Sequence, residues 1–87
     1  MSAFKARAIL LLSGPGDLAE LEKAKTLVRS TLSPFSLSIE EIQSINIGGR
    51  LIIAVLIACD DAHLPAIEKD LRDQCAELNL DVAAELI

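Results

Sequence analysis

The sequence predicts an α+β domain with the element order βαββαβ. Three observations carry this. Leu51-Ile52-Ile53-Ala54-Val55-Leu56-Ile57-Ala58 is the longest apolar run, and its β-branched residues favour a strand over a helix. A second run, Ala8-Ile9-Leu10-Leu11-Leu12, is also apolar at both parities, as expected of a strand covered on both faces. After each run, apolar residues recur at helical spacing, from Leu18 and from Leu64.

The first strand is expected over residues 4–13, broken by Ser13-Gly14-Pro15-Gly16. Asp17 is a good N-cap, and Glu20 three residues later completes a capping box. Leu18, Leu21, Ala24, Leu27, Val28 and Leu32 form the apolar stripe of a helix that ends before Ser33-Pro34. The second strand spans residues 36–47. Leu37 and Ile39 share a parity with Ile45 and Ile47 but not with Ile42, which either a bulge near Glu40-Glu41 or an edge position would accommodate. Its polar residues favour a sheet edge. Gly48-Gly49 is a two-residue hairpin signal before the third strand, residues 50–58. The second helix opens at Asp60-Asp61-Ala62 with Pro65 in its first turn. Its stripe is Leu64, Ile67, Leu71, Cys75 and Leu78, and Glu68–Arg72 and Lys69–Asp73 pair on its wet side. Asn79 closes it in a left-handed conformation. Residues 80–87 form the last strand.

With right-handed crossovers this order gives a ferredoxin-like, four-stranded antiparallel sheet with two helices on one face. The first and third strands are central, matching the two doubly apolar runs. The other sheet face is left bare in a single copy. An interface is therefore expected on the third strand, with Ile52, Ile53, Ala54, Val55 and Leu56 as candidates, parity leaving open which of them face outward. The partner is a second copy or another domain of a parent chain. Residues 1–87 are expected to form a single domain, and the apolar end at Ile87 suggests a fragment of a longer protein.

Composition narrows function. The 87 residues are 52% hydrophobic with two Phe and no Trp or Tyr, so the core is aliphatic. A net charge of −5 argues against nucleic acid and anionic membrane surfaces, which need clustered Lys and Arg. The central runs carry no aromatics for base stacking. The first loop has neither the Cys-x-x-Cys of a copper carrier nor the Arg of an acylphosphatase. Cys59, Asp60, Asp61 and His63 match no recognised ligand spacing and read as an acidic helix start. Cys75 lies in an apolar stripe and reads as a core residue. Two cysteines make no disulfide framework and no signal peptide is visible, so a cytoplasmic location is expected. No catalytic constellation, cofactor signature or metal site emerges.

Binding is most plausible at Gly14, Pro15, Gly16, Asp17 and Leu18. A glycine turn lets a ligand approach the backbone, and a helix start offers N–H groups to a carboxylate or phosphate. The same residues equally suit a plain strand-to-helix turn capped by Asp17. A strand followed by Gly14-Pro15-Gly16-Asp17-Leu18 and a helix resembles the ligand loop of ACT domains, βαββαβ modules that bind amino acids and regulate metabolic enzymes. Residues 42–57, with Gly49-Arg50-Leu51 between an apolar and an aliphatic strand, resemble the hairpin of the N-terminal ACT domain of bacterial phosphoserine phosphatases. The resemblance implies a regulatory, non-catalytic module of serine biosynthesis that binds a small amino acid and pairs as a homodimer. Two departures stand out. Gly14 precedes Pro15-Gly16 where family loops carry an acid, and Phe35-Ser36-Leu37 stands where many amino-acid binders carry Asn. They fit the alternative, a dimerisation or interdomain docking module without ligand.

Overall fold

The computed structural model describes residues 6–87. Strand β1 (Ala6–Pro15) leads to helix α1 (Leu18–Leu32), followed by β2 (Leu37–Ile47), β3 (Arg50–Cys59), α2 (Leu64–Cys75) and β4 (Asp81–Leu86). The sheet order is β2-β3-β1-β4 and every neighbouring pair is antiparallel. The two doubly apolar runs are thus the two central strands, in the ferredoxin-like arrangement the sequence predicts.

One core joins the helices to one sheet face. Leu21, Ala24, Val28 and Leu32 of α1 and Leu64, Ile67, Leu71 and Cys75 of α2 pack with Leu10, Leu12, Leu51, Ile53, Val55 and Ile57. Side chains alternate along a strand, so the intervening residues Ile9, Leu11, Ile52, Ala54 and Leu56 fall on the open face. The registers Ile9↔Leu56 and Leu11↔Ala54 put them side by side.

Phe4 and Lys5 of the predicted first strand lie outside the described residues. The strand's end differs from expectation: Gly14 pairs with Leu51 and Pro15 with Arg50, two residues beyond the predicted break. Pairing with β4 stops at Ser13, so the missing N–H of Pro15 interrupts no ladder there. Gly14 is glycine for packing. A Cβ on it would lie 2.6 Å from the Asn79 carbonyl oxygen and 2.7 Å from Leu80 Cδ2.

The remaining elements follow local rules. In β2 the register shifts between Ile39 and Glu41, and this bulge puts Ile39 and Ile42, of opposite parity in the sequence, on the same side, opposite Ile57 and Val55. Gly48 and Gly49 have φ of 58° and 74°, the positive values a two-residue hairpin turn requires. The predicted start of α2 is instead a single 3-10 turn (Asp61–His63), with the Asp60 carboxylate accepting from the Ala62 N–H. Pro65 then sits in the first turn of α2, where it sacrifices no bond. Asn79, at φ 57°, closes the chain into β4. The pairs Lys69–Asp73 (2.8 Å) and Arg72–Glu68 (3.1 Å) form on the wet side of α2.

Cys59 and Cys75 are both buried free thiols. Burial raises both above the ordinary value of 9.0, and for Cys59 the nearby Asp60 and Asp61 carboxylates add to the shift. The folded chain therefore keeps thiol protons that the unfolded chain releases. The stabilising contribution is intact below the unfolded pKa and falls as pH rises through and above it. We expect the melting temperature to drop above about pH 9 and both thiols to resist Ellman's reagent until the protein is denatured. Rapid reaction of the native protein would contradict this placement.

Candidate functional site at the β1–α1 turn

The structure divides the five predicted turn residues. Gly14 and Pro15 end β1, Gly16 makes the connection, Asp17 caps α1 and Leu18 is its first residue. Gly16 has φ +151°, and a Cβ there would lie 3.0 Å from Leu51 Cδ1 and 3.1 Å from Glu20 Cβ. Both conformation and space therefore require glycine.

The turn is fastened to the β2–β3 hairpin. The Gly16 N–H donates to the Gly49 carbonyl at 2.9 Å. Asn46 Nδ2 donates to the Gly16 carbonyl at 2.9 Å and to the Arg50 carbonyl at 3.0 Å. Two carbonyl acceptors also fix which end of the Asn46 amide is nitrogen. Sequence reasoning missed Asn46 and took it only as a polar residue of an edge strand. The sequence held no signal for it: between Ile45 and Ile47 it falls at the polar parity of the strand, and only the register Asn46↔Leu51 puts it on the helix side.

The capping box is complete. The Asp17 carboxylate accepts from the Glu20 N–H at 3.0 Å, and the Glu20 carboxylate accepts from the Asp17 N–H at 3.2 Å. Leu18 and Ala19, the first two residues of α1, have no acceptor within the helix for their N–H groups, which point out of its positive end. Two carboxylates thus flank outward N–H donors. Leu18 adds an apolar side chain that is 64% exposed.

The five interface candidates also divide. Ile52, Ala54 and Leu56 lie on the open face, whereas Ile53 and Val55 are fully buried beneath the helices and leave the candidate set. Leu11 and Ile52 are each 41% exposed. A shallow depression of about 260 Å³ lies on this face among Arg7, Ile9, Gln43, Ala54 and Leu56. Among the described residues no three His, Cys, Asp or Glu side chains converge as a metal site, and no helix is long and apolar enough to cross a membrane.

Residues 24–85 match the family model of the ACT domain. The chain belongs to the ACT domain family. ACT domains are regulatory, non-catalytic modules that commonly bind small amino-acid ligands and dimerise. The match begins within α1, so it covers the hairpin but not the turn of residues 14–18. No curated protein matches the chain.

Solved structures share the fold at low identity. Formyltetrahydrofolate deformylase from Burkholderia mallei ATCC 23344 superposes with a TM-score of 0.76 at 13% identity, over 93% of this chain and 28% of that one. This ACT domain thus spans little more than a quarter of the deformylase. An ACT domain protein from Streptococcus pneumoniae gives 0.74 at 12% identity, over 93% of this chain and 89% of that one. The de novo designed protein Foldit4 gives 0.72 at 11% identity, over 95% and 97%. A designed sequence matching this well shows that such likeness carries the fold alone.

Proposed function

We propose that this ACT domain is a cytoplasmic regulatory module that binds a small amino acid, serine foremost, at residues 14–18 and pairs with a second copy through its open face. The observation that carries the ligand reading is the charge pattern at the start of α1. The N–H groups of Leu18 and Ala19 suit a carboxylate. The carboxylates of Asp17 and Glu20 beside them suit an ammonium group and disfavour a simple anion. A zwitterion meets both demands, and exposed Leu18 offers an apolar contact. The likeness of residues 42–57 to the phosphoserine phosphatase hairpin makes that enzyme the parent we propose. A reading frame continuing into a domain with an Asp-x-Asp motif supports this parent, and one without it overturns it.

Calorimetric titration with the common amino acids tests the module. We expect heat with serine and little with acetate or phosphate. No heat with any amino acid, on protein shown by sedimentation to be dimeric, overturns the ligand reading. A second reading then applies, a pairing module without ligand. It is favoured by one observation, that the N–H and the carbonyl of Gly16 are both already bonded to the hairpin.

A further inference from the structure

We propose that Asn46 latches the β2–β3 hairpin to the β1–α1 turn, and that through this latch occupancy of the turn is transmitted to the hairpin. The transmission rests on the reading of residues 14–18 as a ligand site; the latch itself does not.

The argument starts from Gly16. Glycine has no conformation of its own to impose, so its φ of +151° must be held by what it touches. Its N–H is bonded to Gly49 and its carbonyl to Asn46, both residues of the hairpin and about thirty positions away. The same Asn46 amide bridges to the Arg50 carbonyl, on the strand across the turn. One nitrogen with two N–H donors therefore joins three segments: the turn, the end of β2 and the start of β3. A carboxylate cannot donate to either carbonyl, and a hydroxyl has one proton for two acceptors.

The hairpin tip has little else to hold it. A Cβ built on Gly48 or Gly49 would meet nothing within 4 Å. The tip is fixed by its ladder and by the bonds to Gly16. Asn46 also sits between two outward apolar residues. Ile45 is 55% exposed and Ile47 is 64% exposed, and Ile45 pairs with Ile52 of the open face. Alternation along β2 gives one short segment two opposed faces, a polar latch toward the turn and aliphatic side chains toward the open side. A pleated strand moves both faces together. A ligand that orders the turn therefore orders Ile45 and Ile47, and by linkage whatever orders them favours the ligand.

Amide hydrogen exchange, read by NMR on wild type, N46A, N46D and the control S44A, tests this. Ser44 lies two residues before Asn46 on the same side of β2, opposite Ile53 and away from the open face; both latch carbonyls accept from Asn46. Without ligand, N46A and N46D are each expected to raise exchange at Gly16 and residues 47–50 about five- to tenfold, the loss of one or two net hydrogen bonds. Exchange in the β1–β3 ladder at residues 8–12 should stay unchanged, which separates local release from unfolding. S44A should leave all of these at wild-type values. Unchanged Gly16 exchange in both Asn46 variants, or an equal rise in S44A, overturns the latch. With saturating L-serine, wild type should gain protection at residues 47–50 and N46A should not. Serine binding without hairpin protection overturns the transmission. Absence of serine binding overturns the transmission together with the ligand reading, while the ligand-free arm still decides the latch.

Discussion

An I53D substitution is expected to leave no folded protein, whereas the double substitution I52D/L56D should leave the fold intact. The three residues are near neighbours on one strand and differ in the face they present. Ile53 is fully buried against the helices with Leu12 across the ladder. A carboxylate there finds no partner, and leaving it charged or forcing it neutral costs several kcal/mol. That is comparable with the roughly 5–15 kcal/mol that holds a whole domain together. Ile52 is 41% exposed and Leu56 half-buried on the open face, so charges there remain hydrated. Circular dichroism should show a native spectrum for I52D/L56D and a disordered one for I53D. Sedimentation adds the functional outcome: under the proposed pairing, I52D/L56D is monomeric where wild type is dimeric. A dimer that survives both charges places the pairing surface elsewhere.

The second large effect is expected at Gly14. A methyl group in G14A would be driven to 2.6 Å from the Asn79 backbone oxygen and 2.7 Å from Leu80. The Leu80 side chain can rotate away, but Asn79 is held at φ 57° between α2 and β4, and its N–H is bonded to Ala76. Relief must come from moving backbone, so the cost should be about 1–3 kcal/mol. For a domain of this size that corresponds to a fall of roughly 4–24 °C in melting temperature, at about 4–8 °C per kcal/mol. Thermal unfolding checks it. A G14A protein that melts with wild type would show that the β1 end and the Asn79 turn are less closely packed than described. The effect is structural, so a loss of serine binding in G14A carries no information unless the fold is shown to persist.

Most of the architecture was legible in the chain because it rests on local rules. Parity and β-branching gave the central strands. The Asp17–Glu20 pair gave the start of α1, and the Gly48-Gly49 and Asn79 positions gave the turns. The bulge was visible as a parity fault between Ile39 and Ile42. Where prediction slipped, a distant partner had intervened. Gly14 and Pro15 read as a loop because nothing local shows that Leu51 and Arg50 pair with them. Asp61, Ala62 and His63 read as α-helix because a 3-10 turn and a first α-turn share one composition.

The sequence by itself determined the element order, the sheet order and the presence of one uncovered apolar face, since hydrophobic periodicity and turn chemistry act within a few residues. Only the tertiary structure decided which side of β3 is open, because both parities of residues 51–58 are aliphatic and nothing but the placement of α1 and α2 tells Ile52 from Ile53. Only the tertiary structure, too, revealed Asn46 as the bridge between turn and hairpin. Its two carbonyl acceptors lie thirty residues before it and four after it, and a hydrogen bond over that span leaves no periodic trace in a chain.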